Sequence, residues 1–572
     1  MENKIKVISE RVDDIPLLLA EIDRMGLTQI MDIHFPSHGN WAGLNLGAVS
    51  SIWLSHILSE GDHRLNHVQG WAEHRLESLS RCIGTAVRGL DFSDDRLGLI
   101  LNRLSKDDPW DEFERELNRR VLRVYDLYNG QPIRLDSTSA AGYWRVEEGG
   151  LFQLGHSKDH RPDLPQVKVM LSSLDPLGMP LCTTVVSGQQ ADDPLYIPAM
   201  VKVQQSFQQK GLLFIGDAKM AALATRAFVV KQENYYLCPL PKQQLSDAIL
   251  DGYLQAVWEG RQPLSPICHD TGETEKIAEG YQLRQTQAAE IDGEEIHWQE
   301  RRLVVRSLKL AESGKATLDK RLQQTQARLL KFNERQQGKK CYRSQEELRP
   351  QVENILRKSQ MQELLTVEYH QQGSIRTLRK YKNKPERISD EREVTISVTV
   401  NQIAYQDAIK HLGWRVYATN ADEKELPFSR AILAYRSEFL IERNFGRLKG
   451  KPLSLRPMYL QTEERIIGLI RLLSIALRVL GLIEYQLRQQ LEKQQTVLRG
   501  LFQGNPKRET ATPTTEQVLK AFRYITLTII YQQQHIIYHL TELNELQNKI
   551  LGLLNLSISI YSKLAGEFLK PG

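Results

Sequence analysis

The sequence predicts an α/β fold in which a mixed sheet is flanked by helices, carries a large insertion, and has helical regions on both sides. Two observations predict it. Residues 126–245 begin with three short β-rich runs, "QPIRLDST", "QVKVMLSSLD" and "MPLCTTVVSG", and continue as alternating helix and strand. The flanking regions instead repeat apolar residues every three or four positions, the helical period. At 572 residues the chain also exceeds what one hydrophobic core usually serves, so several domains are expected.

Residues 1–125 read as a helical N-terminal domain, from "IPLLLAEIDRMGL", "LGAVSSIWLSHILSE" and "PWDEFERELNRRVLRVYDLY". Its "GDHRLNHVQGWAEHRLESLSR" offers His, Arg and Asn for groove or phosphate contacts, and dimerisation is the other role expected of it. The first part of the sheet domain, 126–245, runs strand, strand, strand, helix, strand, helix, strand, an order compatible with a mixed sheet. Residues 246–405 read as an inserted subdomain. It starts with polar, linker-like sequence, passes through the helical "LDKRLQQTQARLLKFNERQQ", and ends in "EVTISVTVN", whose alternation of apolar and polar residues suits a half-buried strand. "GWRVYATN" then returns to the main sheet, so 406–455 form its second part. Residues 456–572 are expected to be a helical C-terminal region, with a linker at "GNPKRETATPTT".

With 75 Lys+Arg against 70 Asp+Glu the net charge is only +5, so a nucleic-acid surface has to be a local patch. The five cysteines have no CxxC or Cys/His spacing, which argues against zinc and against a disulfide framework. A reducing cytoplasm is the expected location, since "MENKIKVISERVDDIP" lacks the apolar run of an export signal. The longest apolar stretch, "IIGLIRLLSIALRVLGLIEY", is interrupted by Arg471 and Arg478 and reads as a buried or interfacial helix, with no membrane partner expected.

Three carboxylates stand out. Asp136 is expected to end the strand "PIRLD" and Asp217 the strand "LLFIGD", so on neighbouring strands they converge, and Glu442 can complete the set from a helix. An all-oxygen donor set without His or Cys suits hard divalent cations, and two such ions act on both oxygens of a phosphoryl transfer. Singly, an Asp at a strand end is more often a turn or cap residue, and a Glu on a charged helix is more often solvated.

The stretch "AYRSEFLIERNFGRLKG" resembles the Y-x2-R-x3-E-x6-K signature of DDE transposases of bacterial insertion sequences, with Tyr435, Glu442 and Lys449 at the Tyr, Glu and Lys positions and Glu438 in place of the Arg. "LDSTSAAGY" and "FIGDAKMAA" are similar to the family's two Asp motifs, and "LGHSKDHRPDLPQVKVML" is similar to a phrase of one branch. The resemblance covers about residues 125–455. It implies a ribonuclease-H-like catalytic domain with an insertion between the second Asp and the Glu. It also implies catalytic and metal-binding roles for Asp136, Asp217 and Glu442, with two Mg²⁺ ions that Mn²⁺ can replace. The implied activity is cleavage at terminal inverted repeats followed by strand transfer into target DNA, by a homodimer in a synaptic complex, nucleoid-associated in a bacterial cytoplasm.

On one helix, residues seven apart are rotated by only about 20°, so Glu442 and Lys449 share a face, and Tyr435, seven residues earlier, would share it too. Lys449 and Tyr435 are then candidate backbone contacts, against the readings of a snorkelling lysine and a core-edge aromatic. Further DNA-binding candidates are Lys158, His160 and Arg161 in "HSKDHRPD", Arg443, and Trp414 as a stacking platform for an extruded base. Their bland alternatives are a solvated loop and a tryptophan buried in the sheet. Arg443 to Arg499 hold 11 Lys+Arg against 4 Asp+Glu, an excess that can follow a phosphate backbone or border helix packing. A nuclease without strand transfer and a non-catalytic DNA-binding protein remain as alternative readings.

Overall fold

The computed structural model describes residues 6–37, 41–128, 130–269, 275–334, 342–378, 387–532 and 535–566. In chain order the strands are β1 (Lys6–Arg11), β2 (Ile133–Ala141), β3 (Gln166–Leu174), β4 (Met179–Ser187), β5 (Leu213–Gly216) and β6 (Tyr235–Pro239). They continue with β7 (Ser265–Cys268), β8 (Lys276–Ile291), β9 (Glu294–Ser307), β10 (Leu365–Leu378), β11 (Arg387–Val400) and β12 (Trp414–Thr419). Four more lie beyond, β13 (Leu498–Arg499), β14 (Glu509–Thr510), β15 (Thr526–Gln532) and β16 (His535–Leu540).

Nine of these form one mixed sheet in the order β4-β3-β2-β5-β6-β12-β9-β8-β7. Strand β3 is antiparallel to both its neighbours, β5 and β6 run parallel to β2, and β12 is antiparallel to β6 and β9. Every residue of β3 is buried, as a strand covered on both faces requires.

The sheet reaches further into the expected insertion than the sequence reading placed it. Ser265–Cys268, Lys276–Ile291 and Glu294–Ser307 are strands of the main sheet and not linker. Their polarity has a physical reason: β8 and β9 form a long hairpin whose far end, Glu290 to Glu295, projects into solvent. Asp292 (φ 53°) and Gly293 (φ 78°) make its two-residue turn, the left-handed pair that matches strand twist. The separate insertion core begins after Ser307. Helices Leu308–Leu330 and Gln345–Ser359 pack against the β10/β11 hairpin through Leu322, Leu329, Leu348, Val352 and Ile396.

The two ends of the chain also differ from expectation. The N-terminal helices do not stand apart, because their core continues without a break into that of the C-terminal region and the sheet. Strand β1 pairs with β15, which pairs with β16, so both ends contribute strands to one small sheet. The centre of this body is the helix Glu463–Lys493. It is long and apolar enough to cross a membrane, yet 94% of its most apolar window is buried inside the protein.

That helix carries two buried guanidinium groups. Arg471 donates to Leu104 O at 2.9 Å and pairs with Asp107. Arg478, fully buried, donates to Pro180 O at 2.8 Å and pairs with Glu114 at 2.6 Å, while Glu114 also accepts from the Thr183 amide at 3.2 Å. Burial pushes the Glu114 carboxyl up and the Arg478 charge opposes it. Glu114 lies on the helix Asp107–Val124, so the pair joins the N-terminal helices, the edge strand β4 and the long helix.

Replacing Arg478 alone strands a carboxylate in the core, at about 3–5 kcal/mol, whereas an apolar pair of similar volume does not. Arg478→Met is therefore expected to lower the melting temperature markedly. Arg478→Met/Glu114→Met is expected to recover most of that loss, and equal melting of the two variants would contradict it.

Candidate active site

The register of β2 and β5 brings the two aspartates together. The paired residues are Ile133 with Phe214, Arg134 with Ile215 and Leu135 with Gly216, so Asp136 and Asp217 occupy the next position on two neighbouring parallel strands. Adjacent strands lie about 4.8 Å apart. Asp136 does not end its strand, as the sequence suggested; β2 continues to Ala141 because Ser137–Ala141 keep pairing with β3. Asp217 does follow the last residue of β5. The turn there depends on Gly216, where an added Cβ would come within 2.7 Å of Met220 and 3.0 Å of Tyr196.

Each aspartate is held by its own partners. Tyr196, buried on the helix Tyr196–Phe207, donates its hydroxyl to Asp217 Oδ1 at 2.7 Å, and the Lys219 amide donates to the same oxygen at 2.8 Å. Burial and the neighbouring Asp217 charge push the Tyr196 hydroxyl well above its ordinary range, so it stays a donor. Asp136 accepts from the Ser137 amide at 2.7 Å and from Lys158 Nζ at 3.2 Å. Burial pushes its carboxyl up; Lys158 pulls it down and Asp217 adds to the rise.

Lys158 belongs to the "HSKDHRPD" loop. Its ammonium sits among oxygens, donating to Ser137 O at 2.6 Å and Ser137 Oγ at 3.0 Å, with Asp192 Oδ2 at 3.9 Å. Asp192 is also held by Lys168 at 2.8 Å and by the Ser137 hydroxyl at 2.8 Å. The next residue, Asp159, is bound by Lys449 at 2.7 Å and Arg456 at 2.9 Å and accepts from the Ala141 amide at 3.1 Å. The loop thus links the first aspartate to the signature lysine. Burial lowers the Lys449 ammonium, against the opposing pull of Asp159.

The third carboxylate comes from a broken helix. The expected single helix is two, Phe428–Arg436 and Phe439–Lys449, so Tyr435 and Glu442 do not share a helical face. The cause is Arg134 on β2. This buried guanidinium pairs with Asp175 at 2.8 Å and donates to the carbonyls of Ala434 and Tyr435, capping the first helix. Glu438 takes the N-cap position of the second helix, but its side chain does not cap. It lines a small cavity together with Asp136, Asp217, Arg134 and Tyr435. Burial pushes the Glu438 carboxyl up, and Asp136 and Glu442 add to the rise. Glu442 is exposed in the first turn of its helix and is not among the residues lining that cavity.

The remaining candidates are placed as follows. Tyr435 is buried, with its ring 4.7 Å from that of Tyr417, and is a core-edge aromatic beside the carboxylates. Lys449 is ion-paired, as described. Arg443 pairs with Glu484, and the basic excess that follows it is largely structural: Arg447, Arg471 and Arg478 are buried in ion pairs with Glu484 and Glu516, Asp107, and Glu114. Trp414 is half-buried at the start of β12 and donates to Lys410 O at 3.0 Å. His160 and Arg161 are exposed, and Arg161 pairs with Asp163 at 2.7 Å.

Sequence reasoning did not single out Arg134, Ser137, Lys168, Asp192 or Tyr196. A signal for two of them was present, since Arg134 and Lys168 are charged residues inside apolar strands, and a buried charge requires a partner. Among the described residues no three His, Cys, Asp or Glu side chains are placed to hold a metal ion together. The donor set nevertheless fits a hard cation, being all oxygen, with an ammonium already drawn to it.

Arg134→Met leaves Asp175 without its charge partner and the carbonyls of Ala434 and Tyr435 without their donor. Hydrogen exchange is expected to accelerate at 434–442 more than at the helix Glu463–Lys493; uniform protection across both would show that Arg134 does not set the break.

No family model matches the chain, and no curated protein does. Among solved structures it is similar to a piggyBac transposase, determined by cryo-EM as a synaptic complex with hairpin DNA. The identity is 10%, the TM-score is 0.23, and the match covers 49% of this chain and 57% of that one.

Proposed function

We propose that the chain is a DDE-type DNA transposase acting on the double-stranded ends of its own element and on target DNA. One observation carries the reading: Asp136 and Asp217 stand at matching register on neighbouring parallel strands and share a small cavity with Glu438, at the start of the helix that bears Glu442. The motifs around all three sequence candidates support the transposase class. The strand order β4-β3-β2-β5-β6, three antiparallel strands followed by two parallel ones, supports a ribonuclease-H-like core.

Asp136, Asp217 and Glu442, with Glu438 beside them, would hold Mg²⁺ or Mn²⁺. Such ions stabilise the attacking and leaving oxygens of a phosphodiester displacement. In this reading Tyr196 and the Lys219 amide orient Asp217, Ser137 orients Asp136, and Lys158 holds positive charge beside the carboxylates. A homodimer that synapses two ends in a bacterial cytoplasm is part of the same proposal.

The test is cleavage of a plasmid carrying the inverted repeats that border the coding sequence. Asp136→Asn, Asp217→Asn and Glu442→Gln are each expected to keep DNA binding and lose Mg²⁺-dependent cleavage by more than about 100-fold. Cleavage by Asp136→Asn at the unaltered rate would refute the reading. Cleavage without joining to target DNA would assign a nuclease.

A further inference from the structure

We propose that the cavity adjoining the carboxylates is a cradle for phosphodiesters of the DNA strand flanking the cleaved bond, built by Lys309, Arg415 and Arg436. The inference rests on the proposed function and names residues that the signature does not contain.

The cavity measures about 340 Å³, within the range of sites that take small ligands or parts of larger ones. It shares Tyr435 and Glu438 with the carboxylate cavity, so the two are contiguous. Lys309 comes from the first turn of the helix Leu308–Leu330, Arg415 from β12, and Arg436 from the last position of the helix Phe428–Arg436. Tyr417 and Tyr435 line it as well, and Ser307 and Ser313 add hydroxyl groups.

Sheet register puts this cavity at the carboxylate end. Ile215 pairs with Leu237, and Pro239 with Tyr417, so the chain preceding Tyr417 runs out past the same edge as Asp217. Two strand steps separate β5 from β12, about 10 Å, which is roughly three nucleotides at about 3.4 Å each.

The charge pattern separates these three cations from the others near the site. Lys158, Lys449, Arg443 and Arg447 are each committed to a carboxylate. Lys309, Arg415 and Arg436 are exposed and, among the described residues, none is ion-paired with a carboxylate. Among the described residues Arg436 donates to the Ile277 carbonyl, at 3.4 Å. Three such cations around one open cavity, against the single carboxylate of Glu438, suit a polyanion, whose phosphates would supply the remaining negative charge.

The test measures binding of the full chain to a labelled duplex of arbitrary sequence with a single-stranded overhang, over a range of salt concentrations. Arg415→Gln and Arg436→Gln are each expected to lower the slope of log affinity against log salt by about one phosphate, and their combination by about two. Arg415→Lys/Arg436→Lys should retain the slope, and so should Arg499→Gln, which alters an exposed cation elsewhere. Mn²⁺ affinity of the DNA-free protein should stay within about twofold of the parent, which also reports that the variants are folded. An unchanged slope in Arg415→Gln/Arg436→Gln, with the parent binding Mn²⁺ and cleaving normally, overturns the cradle alone. A parent that binds the duplex but neither binds Mn²⁺ nor cleaves overturns the proposed function and leaves the slopes to decide the cradle. A parent without duplex affinity overturns both.

Discussion

The architecture depends on one ion pair enclosed in the protein, Arg478 with Glu114. A 31-residue helix of this hydropathy is stable in the core only if its charged interruptions find partners there. Arg478 finds three of them on two elements at once: a carboxylate of the N-terminal helices, and the carbonyls of Pro180 and Leu181 on the edge strand β4. Asn118, one turn beyond Glu114, reaches the Leu181 carbonyl too, at 2.6 Å. Hydrophobic contact alone would allow this helix to slide or rotate against its neighbours; directional bonds from a guanidinium allow one register. The position of the sheet relative to the helical body follows from that register.

A second buried guanidinium does the same on a smaller scale. Arg134 lies two residues before Asp136 on the same strand, and its bonds to the Ala434 and Tyr435 carbonyls fix where one helix stops and the next begins. The strand that carries the first aspartate therefore also sets the position of Glu438 and Glu442. Side-chain placement at the site is thus coupled through backbone carbonyls, without direct contact between the acidic groups.

Much of this was legible in the sequence, and the exceptions have physical causes. The strand and helix order of 126–245 could be read because its apolar runs are short and punctuated by turn residues. The hairpin at 276–307 was missed because its outer half is solvated and reads as polar linker, although "DG" inside "IDGEE" is a strong two-residue turn signal. The C-terminal strands were missed because "TLTIIYQ" and "HIIYHL" lie among helices, and periodicity alone does not separate short apolar strands from helical segments. At the site, the meeting of Asp136 and Asp217 was legible from their two apolar strands, although β2 runs on past Asp136 to Ala141. The helix break at Ser437 was not, since no Gly or Pro marks it and its cause is an arginine some three hundred residues earlier. The basic run after Arg443 left two readings open because composition counts charges without showing that Arg447, Arg471 and Arg478 are already neutralised inside the protein.

The pairing of β1 with β15 bears on how the chain is made. Arg11 is opposite Thr526, so the first strand waits for a partner 515 residues further along. At about 5–20 residues per second, ribosomal synthesis separates the two by roughly 25–100 s. The nine-stranded sheet needs only residues 133–419 to complete its hydrogen-bonded ladders. The N-terminal helices are in the opposite position. Their apolar faces are made before the sheet, yet the helix that covers them, Glu463–Lys493, is made only after it. During translation the first hundred residues, and not the strands bearing the aspartates, are the aggregation-exposed part of the nascent polypeptide.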